Sequence, residues 1–390
     1  MNETDKTKMT ALDSPTAIDE GQSSQKCTTN SITDWDENFN SFDENYEDVQ
    51  REMQRELILS MDKSHLPTIS MQELYDTTYE SKPPLIDGLL YAGTYLFVGS
   101  PKLGKSFLMA QLAYHISTGT PLWDYTTRKG TVLYLALEDD YRRLQERLYR
   151  MVGTEATDNL FFSVSAGQLG NGLDEQLNRF VSEHPDTKLI IIDTLQKVRE
   201  VGGDNYSYAN DYQIITRLKS FADSKGICLL LVHHTRKQTA DDKFDMISGT
   251  NGLLGAADGA FMLTKEKLTS NTAILEVSGR DQQEQRLHLI KNEKTLAWEL
   301  SEKETELWKA PPEPLLDEVA EHINTDYPCW VGSPTELVVF LGVDMKANAL
   351  SLRLNVNARR LLDEYGIHYE SKRSHDGRKV RLTFVKRDDA

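Results

Sequence analysis

The chain has 390 residues, 39% of them hydrophobic and 27% charged, with a formal net charge of −17. This length predicts roughly two or three folding units and room for a substantial core. No apolar run approaches the ~18 residues of a membrane span, and the opening MNETDKTKMTALDSPTAIDE lacks the apolar stretch of a secretory signal. Cys27, Cys228 and Cys329 are isolated thiols with no CxxC pair, which supports neither a disulfide framework nor a zinc site and fits a cytoplasmic protein. The charge is uneven. Residues 1–60 hold 14 acids and 5 bases, whereas residues 341–390 hold 11 bases and 7 acids. Residues 1–60 carry few apolar anchors and read as a disordered acidic tail.

From about residue 84, short apolar runs alternate with amphipathic segments. Strands are expected at 94–98, 131–137, 160–164, 189–192 and 227–232. The helices between them are expected at 105–118, 140–151, 173–183 and 209–224. Continuous apolar strands separated by helices predict a parallel sheet covered on both faces. Beyond residue 259 the helical pattern stops. Strands at 260–264, 272–277, 287–291 and 296–300 then predict an antiparallel extension. Lys309-Ala-Pro-Pro-Glu-Pro314 reads as a stiff linker between a larger domain at 84–305 and a smaller one at 315–390.

Gly99-Ser100-Pro101-Lys102-Leu103-Gly104-Lys105-Ser106 fits GxxxxGK[ST] and lies between a predicted strand and a predicted helix. The glycines let backbone N–H groups close around phosphate oxygens, and the helix N-terminus adds partial positive charge. Lys105 is placed to reach the β- and γ-phosphates of ATP, and the Ser106 hydroxyl to ligate Mg²⁺. Asp193 ends the apolar run LIIID, where a carboxylate can hold the same metal ion through water. Ligands of open parallel sheets bind beyond the strand carboxyl ends. Glu138, at the end of TVLYLAL, is therefore the candidate base for activating water, with Asp139 and Asp140 as competitors. His233 and His234 end the strand at 227–232. Side chains alternate along a strand, so only one of the two can face the γ-phosphate.

The stretches GSPKLGKS, LYLALEDDYRRLQERL, LIIIDTL, LLLVHHTRK and EVSGRDQQEQRLHL resemble the RecA-like ring ATPases. Among these the likeness is to the plasmid RepA-type replicative helicases and related mobile-element ATPases, over about residues 84–300. That resemblance implies an α/β RecA-like P-loop NTPase core that hydrolyses ATP with Mg²⁺ as a homo-hexamer. It makes Glu138 the catalytic base and His234 the γ-phosphate sensor. It also makes Arg280 the arginine finger supplied to a neighbouring subunit, with Arg286 as the other candidate. A channel loop for single-stranded DNA falls on residues 235–258, from Thr235 to Asp258, with Arg236, Lys237 and Lys243. The alternative is a DNA-bound ATP switch that regulates or loads without unwinding; the acidic balance of the ATPase region counts against a simple helicase.

Residues 315–390 read as a winged-helix domain. Leu350, Leu354 and Leu361 form an apolar stripe, and Asn348, Ser351, Asn355 and Arg359 a polar one suited to a major groove. Strands at 367–373 and 379–385 flank a turn ending at Gly377. Lys372, Arg373, Arg378, Lys379 and Arg381 would bring positive charge to duplex phosphates, while protein docking is the other use of such a module.

Overall fold

The computed structural model describes residues 64–79, 83–199, 208–234, 252–265, 270–280, 282–304, 311–374 and 377–385, with a few single positions besides. The acidic tail falls almost wholly outside the described residues, as do residues 235–251 of the expected DNA-facing loop. The chain divides into two units, residues 82–310 and residues 1–81 together with 311–390.

A short helix, α1 (Met71–Asp76), opens on a capping box in which the Ser70 hydroxyl accepts from the Glu73 N–H and the Glu73 carboxylate from the Ser70 N–H. It belongs to the second unit and was not legible as a helix in the sequence.

The first unit begins with β1 (Gly93–Gly99) and α2 (Lys105–Thr118). Next come β2 (Thr131–Ala136), α3 (Tyr141–Val152), β3 (Leu160–Ser163), α4 (Leu173–Glu183) and β4 (Thr187–Asp193). The short α5 (Leu195–Val198) precedes α6 (Tyr208–Lys225), β5 (Cys228–His234) and the short α7 (Gly252–Ala256). Then β6 (Gly259–Thr264), β7 (Thr272–Gly279), β8 (Gln285–Lys291) and β9 (Trp298–Lys303) close the unit.

These strands form one sheet in the order β3-β2-β4-β5-β1-β6-β7-β8-β9. The pairs from β3 to β6 are parallel, and β7, β8 and β9 continue antiparallel. The parallel part with its antiparallel extension is the expected α/β architecture. Alternation along β1 assigns its residues to two layers. Tyr95 and Phe97 pack with Leu108, Met109 and Ile116 of α2. Leu96 and Val98 belong to the opposite layer, with Leu177 of α4 and Leu218 of α6. Every residue of β1 and β2 is buried, which explains their continuous apolar runs. The last strand starts later than expected, because Leu296 takes a left-handed φ of 61° in the turn that precedes Trp298.

In the second unit, α8 (Pro314–His322) leads to β10 (Cys329–Gly332), α9 (Pro334–Leu341) and α10 (Ala347–Tyr365). The hairpin β11 (Ile367–Ser374) and β12 (Gly377–Phe384) completes a small antiparallel sheet ordered β10-β12-β11. The predicted hairpin is present, whereas β10 is an addition whose four residues carry no clear alternation. Leu316, Val319, Leu337, Leu350, Leu354 and Leu361 form the core, at about 1.5–3 kcal/mol for each fully buried side chain.

Candidate nucleotide-binding site

Strand register assembles the site. Ala136 of β2 pairs with Asp193 of β4, Asp193 with Val232 of β5, and His234 of β5 with Gly99 of β1. Four adjacent parallel strands thus end on one rim, where they bring together Glu138, Asp193, His234 and the P-loop. Sequence reasoning had placed each on its own strand end. The order β2-β4-β5-β1 is what makes them neighbours.

The P-loop turns tightly before α2. Gly104 sits at a φ of 96° as the helix N-cap, and a Cβ there would meet the Trp298 ring at 3.2 Å. At Gly99 a Cβ would stand 2.6 Å from the Leu263 carbonyl on β6, so glycine is required for strand approach there. Lys102 also takes a left-handed φ, 66°, within the loop.

Lys105 is buried, and its ammonium donates to the carbonyls of Gly99 (2.8 Å) and Ser100 (3.0 Å). Burial lowers its pKa to about 8, against the opposing pull of Asp193 and Glu138. The Nζ lies 3.0 Å from His234 Nδ1. An ammonium can only donate, so Nδ1 accepts and the ring proton sits on Nε2, which lies 3.9 Å from Glu138 Oε2. Burial, and then Lys105, hold His234 below the usual imidazole range and keep it neutral at pH 7.

Asp193 is buried and accepts from the Tyr134 hydroxyl at 2.9 Å and from Ser106. Burial pushes its pKa up. The paired oxygens of Ser106 and Asp193 beside a phosphate-binding loop suit a hard cation that brings its remaining ligands as phosphate oxygens and water. They fit Mg²⁺. Thr194, next in sequence, donates to Glu138 Oε1 at 3.2 Å. Neither Tyr134 nor Thr194 was singled out from sequence, since an internal strand tyrosine and a threonine after a carboxylate carry no motif of their own.

The acidic trio separates by partner. Asp140 caps α3 by accepting from the Arg143 N–H at 2.9 Å, and Asp139 pairs with Arg147 at 2.6 Å. Glu138 alone of the three touches Thr194 and faces His234. The two histidines also divide. His233 is buried on the other face, where burial and Arg199 lower its pKa to about 4. Beside it Arg199 pairs with Asp211 at 2.8 Å.

Arg280 is not at this rim. Gly279 pairs with Gly259 at the start of β6, and Gly259 with Tyr95, four residues before the P-loop leaves β1. At about 3.3 Å per residue the separation along the strand alone is on the order of 13 Å. The Arg280 guanidinium donates to the Gly255 carbonyl at 2.9 Å. Arg286 lies between Glu276 (3.6 Å) and Glu304 (3.4 Å).

In the second unit the polar stripe of α10 is largely covered, which corrects the expectation of a free groove-reading face. Ser351 and Asn355 are buried at 2% and 6% exposure. Asn355 accepts from the hydroxyls of Tyr369 and Thr78 and donates to the Tyr75 carbonyl. Arg359 pairs with Asp363 on its own helix. Asp76, at the end of α1, pairs with Arg378 at 2.9 Å and Arg373 at 3.4 Å, so these hairpin cations have partners as well.

Comparison with known proteins agrees with this geometry. Residues 60–240 match a family model described as an AAA domain, a stretch that includes the P-loop, Glu138, Asp193 and His234. Against the curated proteins no match is found. Among solved structures, one likeness is to a DnaB-like replicative helicase described with its interactions with primase. It has 14% identity and a TM-score of 0.48, over 65% of this chain and 71% of that one. Another is to an ATPase domain, at 17% and 0.46, over 67% and 100%. A third is to a KaiC-like protein from Pyrococcus horikoshii OT3, at 14% and 0.40, over 56% and 94%. None of the TM-scores reaches 0.5, so the weight falls on register, site and the AAA match. Those define an α/β P-loop nucleotide-binding domain that matches the AAA model over residues 60–240. No helix among the described residues is long and apolar enough to cross a membrane.

Proposed function

We propose that the chain is an ATP-hydrolysing ring motor acting on single-stranded DNA, a replicative helicase of the plasmid or mobile-element kind. The observation that carries this reading is the separation of Arg280 from a rim that otherwise gathers Lys105, Ser106, Asp193, Glu138 and His234. An arginine on the opposite rim cannot reach its own subunit's γ-phosphate. In a closed homo-hexamer it would serve the next subunit's.

In that reading the P-loop amides and Lys105 hold the triphosphate. Ser106 and Asp193 would hold Mg²⁺, which neutralises phosphate charge when bound. Glu138, oriented by Thr194, accepts the proton of the attacking water. His234, between Lys105 and Glu138, changes partners when a γ-phosphate draws Lys105 away. That change would pass along β5 into residues 235–258, the proposed contact for single strands. For the winged-helix-like second unit, the covered α10 leaves the wing edge as the surface for duplex phosphates or a protein partner.

Glu138→Gln tests the chemistry. It should bind ATP with Mg²⁺ and lose about 10²–10⁴-fold in turnover. Strand displacement on forked DNA then tests the motor. Turnover stimulated by single strands without any displacement would favour the switch reading instead.

A further inference from the structure

A second group of cations gathers beside the start of the P-loop helix. Lys291 ends β8 opposite Trp298 of β9, and its Nζ stands 4.3 Å from the centre of the Phe107 ring. A Cβ built on Gly104 would lie 3.5 Å from that same Nζ. Lys265, after β6, brings its Nζ to 5.3 Å from the Trp298 ring, and Arg147 stands 4.8 Å from Phe107. Phe107, third residue of the P-loop helix, is therefore flanked by two cations.

Most of these charges already have work. Arg147 pairs with Asp139, Lys265 donates to the Ser270 carbonyl, and Arg150 donates to the carbonyls of Lys294 and Glu293. Among the described residues Lys291 has no carboxylate partner. Burial, with repulsion from Lys265, Arg150 and Arg147, holds its pKa below the usual lysine range. Like charges gathered at partial burial are costly unless an anion joins them. The mounting is rigid. Trp298 and Gln111 of α2 exchange two hydrogen bonds, of 2.8 and 2.9 Å, and the Trp298 indole donates to the Gly104 carbonyl at 3.3 Å.

We propose that Lys291 is a second phosphate-recognition cation, acting in its own subunit on the α-phosphate end of the bound nucleotide. This rests on the ATPase reading above. With Lys105, Glu138 and His234 at one end of the P-loop, the cleaved γ-phosphate lies there, and the α-phosphate falls toward Gly104 and Phe107. Lys291 thus contacts a group that ATP and ADP share. It contributes to affinity and leaves the bond-breaking step to the Glu138 end of the P-loop.

The test measures ATP and ADP affinity of the full chain by calorimetry, with steady-state hydrolysis, for Lys291→Met, Lys291→Arg and Lys105→Ala. Lys291→Met should weaken both nucleotides by a similar factor, on the order of tenfold for one lost charge-assisted contact. The loss should appear in KM and not in kcat, and Lys291→Arg should recover most of it. If Lys291→Met lowers the melting temperature but binds both nucleotides normally, the lysine is only a cation–π support and the proposal fails. Loss of ATP affinity with ADP unaffected would also overturn it, since that places the contact on the γ-phosphate. Lys105→Ala separates the two claims. Lost affinity there with none in Lys291→Met defeats this proposal alone, whereas intact affinity in Lys105→Ala defeats the ATPase reading beneath it.

Discussion

The rim of the large sheet and the face of α10 both carry rows of polar residues, yet the two rows are engaged differently. At the rim, Lys105 from the start of α2 meets His234, Glu138 and Thr194 from separate strand ends, and their functional atoms turn to one spot. On α10, Asn355 is used up by Tyr369, Thr78 and Tyr75, and Arg359 by Asp363. Polar spacing on a helix is therefore weak ground for a binding face, because a neighbouring segment can claim it. Polar residues at the ends of buried parallel strands are stronger ground, because the fold must send them to one side.

The largest effect that could break this contrast is at Arg280. Arg280→Ala should lower turnover by about 10³–10⁵-fold while its own ATP affinity stays intact. Mixing it with Lys105→Ala should restore part of the activity, since a mixed interface can combine one subunit's P-loop with the other's arginine. Full activity of Arg280→Ala, measured by phosphate release, would remove the trans reading and turn attention to Arg286, whose pairing with Glu276 and Glu304 would then have to open.

The second unit offers the next test. Asn355→Ala leaves the hydroxyls of Tyr369 and Thr78 and the Tyr75 carbonyl without their common partner. It should destabilise the unit by about 1–3 kcal/mol in denaturant titration. If stability is unchanged and duplex affinity drops instead, the stripe reads DNA after all.

A smaller effect follows from Lys105, whose pKa of about 8 lies below its ordinary 10.5. The protonated form binds phosphate, so ATP affinity should be level below pH 8 and fall by up to about tenfold per unit above it. For folding the sign is opposite. The unfolded chain holds the proton more tightly, so stability of the nucleotide-free protein should rise between about pH 8 and 10.5. Calorimetry across pH 7–9.5 checks the first sign. An ATP affinity flat to pH 9.5 would show an ammonium less buried than its contacts imply.

Much of the first unit was legible because its signals are local. The P-loop motif, the apolar run before Asp193 and the helix from Lys105 to Thr118 need no tertiary information. What stayed hidden depends on strand order. Tyr134 reaches Asp193 only because β2 adjoins β4, and Lys291 nears Gly104 only because β8 and β9 fold back to α2. Likewise α1 is a six-residue helix with no buried residue of its own, so no hydrophobic period announces it. Its place against α10 rests on polar contacts between residues almost 300 positions apart.

The smallest expected effect sharpens the comparison inside the acidic trio itself. Glu138, Asp139 and Asp140 are consecutive, and sequence could not rank them beyond proximity to the strand end. Geometry assigns Asp140 to the N-cap of α3, where its carboxylate accepts from the Arg143 N–H and is held below the usual carboxylate range first by that bond. Asp140→Ala should then lower stability measurably in denaturant titration, and Asp140→Asn much less, since an amide oxygen caps nearly as well. Hydrolysis by both variants should stay within about twofold of the natural chain, because a lost cap frays the first turn of α3 without moving Glu138, which Thr194 holds from β4. A 100-fold loss in Asp140→Asn, with stability intact, would instead make Asp140 the base. It would also show that the contacts of Glu138 with Thr194 and His234 serve the structure of the rim alone.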